Sequence, residues 1–186
     1  ERLPHPPLDD LHLPELAMNL VTDMAIHDNV EGTLTLVANA YNRDGRDTGV
    51  EAAYEHAVER LHRMVRELGQ PSAGGEAPYV LSGLDVSREE LFARAKHTWS
   101  EESYREAIAR TKEAIVDGEV FQAVVARRFD LETDAAPLDV YRVLRATNPS
   151  PYMYLYTFEH PDAGAYSVIG SSPEALVTVK DRTVLT

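Results

Sequence analysis

Apolar and polar residues along this chain fall into stretches of helical period, stretches of alternation, and short breaks rich in proline and glycine. From Pro14 to Ala25 the apolar residues Leu16, Leu20, Val21 and Met24 recur at helical spacing, and Pro14 suits a first helical turn, so this segment predicts a helix. Thr33 to Ala38 alternates and is rich in β-formers, which predicts a strand. A turn at Asn42–Asp47 comes next. A second helix is expected from Val50 to Leu68, with Ala53, Ala57, Leu61, Met64, Val65 and Leu68 on one face and Gly69 at its end.

Beyond Gly69 the pattern restarts. Ser87 opens a helix running toward His97, and Ser100 caps another that has Glu101 and Glu102 in its first turn, where the helix dipole favours anions. The apolar face of the latter is Tyr104, Ala107, Ile108, Ala114 and Ile115, and Gly118 closes it. Val120 to Phe129 is apolar on both faces as far as Ala126, Gln122 excepted, and so predicts a central buried strand. Pro137 starts a short helix ended by the Asn148-Pro149 step. Strands are expected at Pro151–Phe158 and Ala165–Ile169, joined by a turn at Pro161–Gly164; a tight Ser-Ser-Pro-Glu turn comes after Gly170, and a further strand after that. Helices alternating with antiparallel hairpins place the chain in the α+β class.

Breaks divide this pattern. Leu3–Pro7 is proline-stiffened and reads as a connector, and Gln70–Ala77 is too rich in Pro, Ser and Gly to hold a core. The expected domains are therefore residues 1–69, a linker and connecting segment at 70–86, and a second region at 87–186. The chain opens at Glu1 without methionine, and its strand-like runs Ala175–Val179 and Thr183–Thr186 end at a strand with no partner after it. Both features lead to the expectation of a piece cut from a longer protein, with a large apolar face left open.

The bulk numbers change the picture in a few places. At 186 residues and 44% hydrophobic content the chain can bury a core. The net charge of −13 disfavours a phosphate-backbone partner, so no nucleic acid is expected, while an anionic small molecule needs only a local basic pocket. No apolar run approaches the roughly 18 residues of a membrane span, and a cytoplasmic protein is expected. With no cysteine, disulfide staples, thiolate zinc sites and cysteine nucleophiles are excluded for this chain. The seven histidines show no metal-ligand spacing, His56 and His62 being six apart.

A few residues could carry chemistry. A glutamine inside an apolar strand brings an amide whose donors and acceptor need partners, so Gln122 either bonds a nearby loop backbone or lines a polar cavity and addresses a ligand. Glu174, behind Pro173 in a turn, is either a solvated carboxylate or a general acid held at a strand end. In Asn148-Pro149-Ser150-Pro151-Tyr152-Met153 the prolines fix the backbone, making either a plain turn or a surface for a flat aromatic ligand. Arg127 and Arg128 either clamp a carboxylate or face water at a strand exit.

Three segments in order alter this balance. Gly118 to Phe129 (Gly-Glu-Val-Phe-Gln-Ala-Val-Val-Ala-Arg-Arg-Phe) resembles the strand motif of chorismate-utilising enzymes. Asn148 to Met153 resembles the Asn-Pro-Ser-Pro-Tyr-Met signature of anthranilate synthase large subunits, and Gly170-Ser171-Ser172-Pro173-Glu174 resembles the family's Gly-Ser-Ser-Pro-Glu turn. Asp10-Leu11-His12-Leu13-Pro14 and the Thr33–Ala38 strand are similar to the N-terminal region of those subunits, more loosely.

The resemblance implies a layered α/β/β/α fold, incomplete in this chain, in which 1–69 ends a regulatory region and 87–186 begins the chorismate-binding one. It implies conversion of chorismate and ammonia to anthranilate and pyruvate in tryptophan biosynthesis, with ammonia supplied by a glutamine amidotransferase subunit. Water-using relatives carry a lysine base where this chain has Gln122, whereas ammonia-using ones carry glutamine, in keeping with the better nucleophile needing no base. By the same match Glu174 is the general acid for the departing C4 hydroxyl, and Gln122 and Ser172 contact substrate. Asn148, Pro149, Ser150, Pro151, Tyr152 and Met153 border the pocket for tryptophan as feedback inhibitor. Mg2+ is the implied cofactor, but the family's metal-binding glutamates, catalytic histidine and Pro-Ile-Ala-Gly-Thr stretch are expected beyond Thr186, and its Leu-Leu-Glu-Ser motif before Glu1. No metal ligand is assigned in this chain, which is expected to be inactive alone. The alternatives are aminodeoxychorismate synthase component I, disfavoured by the Asn148–Met153 string, and a non-catalytic tryptophan-binding module.

Overall fold

A computed structural model describes residues 8–42, 45–71, 87–162 and 164–185. The connector at Leu3–Pro7 and the linker and connecting segment from residue 72 to 86 lie outside these residues, as do two positions of the 42–47 turn. The chain divides into two compact units. One takes in the described residues of Glu1–Pro78 and Thr157–Ser167, the other those of Tyr79–Tyr156 and Val168–Thr186.

In the first unit, β1 (Asp23–Asp28) pairs antiparallel with β2 (Thr33–Ala38), from Asp23 opposite Ala38 to Asp28 opposite Thr33. The expected strand at Thr33–Ala38 is present, but the expected helix over 14–25 is not, because residues 14–22 form no regular element and 23–25 belong to the hairpin. The local reason is the turn after Asp28. The Asp28 carboxylate accepts the backbone N–H groups of Val30 (2.8 Å) and Glu31 (3.0 Å), and Gly32 takes φ 64, a left-handed turn value that suits glycine. With the turn fixed beside a ready strand, the ladder supplies the hydrogen bonds that a helix would have supplied.

A short 3-10 turn at Asp47–Gly49 leads into α1 (Val50–Leu68), which ends at Gly69 as expected. Ala57 is the buried point of its apolar face. Arg60 of α1 reaches across to the hairpin, donating from Nε to Asp23 (2.8 Å) and from Nη2 to the Asn39 carbonyl (2.6 Å).

In the second unit, Ser87 and Glu90 form a reciprocal capping box that starts α2 (Arg88–Arg94). This helix stops short of His97. Ala95 turns extended, and β3 (Lys96–His97) pairs with β4 (Phe129–Asp130), bringing the Phe92 and His97 rings edge-on to Phe129 at 5.5 and 5.1 Å. Helix α3 (Glu101–Val116) starts at the predicted Ser100 cap and closes at Gly118, whose φ is 78; Ala107 is its buried position.

The expected buried strand over Val120–Phe129 is corrected. Only Phe129–Asp130 pairs, and residues 122–128 run irregularly, with Phe121 and Val124 exposed. A strand needs a ladder on its edges, and no described segment offers one to 120–127; the Tyr104 hydroxyl bond to the Val125 carbonyl (3.1 Å) is the hold on its middle. Helix α4 (Pro137–Thr147) comes next, then the paired strands β5 (Tyr152–His160) and β6 (Gly164–Ser172), as expected; only Tyr152–Tyr156 and Val168–Ser172 of these strands count to the second unit. The last two runs do find partners in each other: β7 (Thr178–Lys180) pairs antiparallel with β8 (Thr183–Leu185).

The Asp28 turn gives a pH test. The N–H groups of Glu31 and Val30 hold its carboxyl below the ordinary value of 3.8. A carboxyl lowered by folding stabilises the folded state above its unfolded pKa, and that contribution is lost as pH falls through the lower folded value. An NMR titration should find Asp28 protonating below 3.8, and Asp28→Ala should remove this acid-sensitive component from hairpin stability. Titration at or above 3.8 would contradict the turn geometry.

Candidate functional site

Two of the sequence motifs meet in the second unit. The first lies where α4 hands over to β5. Asn148 leaves the helix with its N–H on the Leu144 carbonyl (2.8 Å), and Pro149 and Pro151 prevent the helix from continuing. The second lies where β6 ends and the chain turns at Ser172-Pro173-Glu174.

Serine hydroxyls tie the two together. Ser171 Oγ donates to the Asn148 carbonyl at 2.7 Å, and Ser150 Oγ donates to the Ser172 carbonyl. Each turn thus lends a side chain to the other's backbone. Ser172 in turn braces its own corner, donating from Oγ to the Glu174 carbonyl (3.0 Å). The Glu174 backbone is fixed while its carboxylate stays exposed, with no ion pair among the described residues.

Behind the turns, Tyr154 of β5 lies flat over Gly170 of β6. A Cβ on Gly170 would sit 2.1 Å from Tyr154 Cζ, so only glycine fits there. Tyr154 also stacks with Tyr156 at 5.5 Å. Of the expected aromatic-facing residues, Met153 is half-buried and Tyr152 is 49% exposed.

The structure thus brings Asn148, Ser150, Ser172 and Glu174 into one hydrogen-bonded corner, with Pro149, Pro151, Tyr152 and Met153 beside them. Gln122 is not joined to that corner by any hydrogen bond. It is exposed on the irregular segment before β4, without a buried amide to satisfy. Arg128 already spends its fork on Asp130, at 2.8 and 3.0 Å, so it is not an open carboxylate clamp. Arg127 lies over the Phe129 ring at 4.9 Å, with its Nε buried and unpartnered.

Sequence reasoning missed Gly170, Tyr154 and Ser171 as the parts that lock the corner. The available signal was a glycine inside a strand run, which marks close backbone approach. Among the described residues no group of three or more His, Asp or Glu could hold a metal ion. A cavity of about 1120 Å³ lies not at these turns but along α1.

A family profile for chorismate binding enzymes matches residues 1–186. The anthranilate synthase component 1 of Arthrobacter globiformis is 50% identical over 186 residues, which are 100% of this chain and 34% of that protein. That of Mycolicibacterium smegmatis is 48% identical over 182 residues, 97% of this chain and 33% of the relative. A crystal structure of anthranilate synthase component I from Streptococcus pneumoniae superposes with a TM-score of 0.52 at 28% identity, covering 88% of this chain and 33% of that one. The α+β arrangement is therefore part of that layered fold, and the chain spans about a third of the length of the relatives it matches.

The Gly170 contact is testable. Gly170→Ala should force the Tyr154 ring aside and destabilise the protein by about 1–3 kcal/mol, as overpacking does. In a double-mutant cycle measured by thermal unfolding, Gly170→Ala should cost far less once Tyr154→Ala has removed the ring. Equal costs in both backgrounds would show that the close approach does not exist.

Proposed function

The chain belongs to the chorismate binding enzyme family, and on that premise we propose that it is a segment of an anthranilate synthase large subunit. In this reading the whole protein converts chorismate and ammonia to anthranilate and pyruvate, in the cytoplasm, within tryptophan biosynthesis. Residues 1–69 end a regulatory region, 70–86 connect, and 87–186 begin the chorismate-binding region. The observation that carries the reading is 50% identity across the whole chain to an enzyme of that name. The corner in which the Asn148–Met153 and Gly170–Glu174 motifs exchange serine hydrogen bonds supports it.

Each residue of the site then has a chemical role. Ammonia attacks C2 of chorismate while the C4 hydroxyl departs as water, its proton coming from Glu174. Loss of pyruvate from the resulting aminodeoxyisochorismate then makes the ring aromatic. Gln122 faces the incoming ammonia as a neutral amide, since ammonia carries its own lone pair and needs no base. Ser172, which braces the Glu174 backbone, contacts substrate. Asn148, Pro149, Ser150, Pro151, Tyr152 and Met153 border the tryptophan pocket, so an inhibitor there acts on the backbone of the catalytic corner through the Ser150 and Ser171 bonds. Ammonia reaches the enzyme from a glutamine amidotransferase partner.

Mg2+ belongs to this reading as the cofactor, but the described residues do not fit it, and no step of the chemistry is assigned to the ion. No described helix is long and apolar enough to cross a membrane.

The test uses the full-length protein carrying this segment, incubated with chorismate, Mg2+ and ammonium, with products identified by mass. Anthranilate should form, and Glu174→Gln should lower kcat by about 10²–10⁴, the usual worth of a general acid. Gln122→Lys should divert product toward the water adduct, isochorismate. Aminodeoxychorismate from the unaltered enzyme would place it with the other ammonia-using branch. No consumption of chorismate would favour a binding module instead.

A further inference from the structure

The segment that carries Gln122 has no ladder, and its anchorage is sparse. At one end it leaves α3 through Gly118 and Glu119, whose N–H groups still bond the Ile115 and Ala114 carbonyls at 3.2 and 2.9 Å. At the other end the Thr98 N–H donates to the Arg128 carbonyl and the Arg128 N–H donates to Thr98 Oγ, both at 3.3 Å. Between these ends, the one hydrogen bond among the described residues runs from the Tyr104 hydroxyl to the Val125 carbonyl, at 3.1 Å. Burial agrees with it. From 119 to 126 every residue is exposed except Val125, which is half-buried.

Tyr104 stands on a firm base for this task. It belongs to the start of α3, where its own N–H bonds the Ser100 carbonyl (3.1 Å) and Ser100 Oγ caps the Ser103 N–H (3.1 Å). Ala107, one turn on, is the buried position of the helix. A tyrosine carries its hydroxyl at the far end of a rigid ring governed by two side-chain angles, so holding the bond costs little conformational freedom. Without that hydroxyl the Val125 carbonyl loses its partner among the described residues, and the middle of the segment is free to swing between its ends.

Gln122 lies three residues from Val125, within about 10 Å of chain. An amide on exposed backbone without a ladder takes its direction from the nearest fixed point, and that point is the Tyr104 bond. We propose that Tyr104 is a positioning residue for Gln122, setting through the Val125 carbonyl where the amide meets the incoming ammonia. This rests on the role given to Gln122 above. Tyr104 acts on the nucleophile through the backbone and not by contact.

The experiment is a double-mutant cycle of Tyr104→Phe and Gln122→Ala in the full-length protein, with anthranilate formation followed over separate titrations of ammonium and chorismate. Phenylalanine keeps the ring and removes only the hydroxyl. Tyr104→Phe should lower kcat/KM for ammonium about fivefold, the net worth of one hydrogen bond, while the KM for chorismate stays within about twofold. Once Gln122→Ala has removed the amide, the same change should cost less than about twofold. A tyrosine with a merely structural role would cost the same in both backgrounds, and that result overturns the proposal. An unchanged kcat/KM for ammonium in Tyr104→Phe overturns it too. If Tyr104→Phe does not fold, NMR of the unaltered protein decides: a Tyr104 hydroxyl proton protected from exchange upholds the tie, and one in free exchange overturns it. Absence of anthranilate from the unaltered protein, or full activity of Gln122→Ala, would instead sink the functional reading or its Gln122 assignment, and the proposal with it.

Discussion

Two serine hydroxyls, those of Ser150 and Ser171, hold the candidate site in one piece. Each donates to a backbone carbonyl of the other's turn, so neither turn can shift without breaking a bond in the second. The motifs they join are separated by the whole β5–β6 hairpin, and neither contributes a buried apolar side chain. Polar bonds at this corner therefore do what packing does elsewhere, and Gly170 allows it by letting the Tyr154 ring lie against the β6 backbone. Glu174 inherits its position from this arrangement, since its backbone is braced by Ser172, the residue whose carbonyl receives the Ser150 bond.

The first unit shows the same reliance on polar ties. Among the described residues of this unit only Ala57 counts as buried, so apolar packing alone does not fix α1 against the β1–β2 hairpin. Arg60 supplies the orientation by holding Asp23 at the start of β1 and the carbonyl of Asn39 just past β2. Hydrogen bonds that involve a charged group are worth about 1.5–3 kcal/mol when part-buried.

Much of this was legible in the sequence, and the rest was hidden for physical reasons. Helices α1, α3 and α4 carry local stop and start signals (Gly69, Ser100 and Gly118, Pro137 and Asn148-Pro149) that act without distant help, and each falls where those signals put it. The segment 14–25 carried only a period, and the Asp28 turn with β2 beyond it decided otherwise. Val120–Phe129 has the composition of a central strand, but strand formation depends on neighbours, and the described residues give it a partner only at its end. Among the site residues, the motifs were visible as strings. Their meeting through serine side chains was not, because hydroxyls carry no periodicity to betray which backbone they address. Gln122 shows the reverse case: its composition suggested a buried amide, while its exposure leaves its role to the family resemblance.

The central claim is that the two turns act as one unit, so that the residues assigned to inhibitor and those assigned to catalysis move together. The most direct test is the Ser150→Ala/Ser171→Ala double variant of the full-length protein, assayed for anthranilate formation across a tryptophan titration. Turnover and sensitivity to tryptophan should fall together, with the fold retained. Loss of one with the other intact would contradict the account.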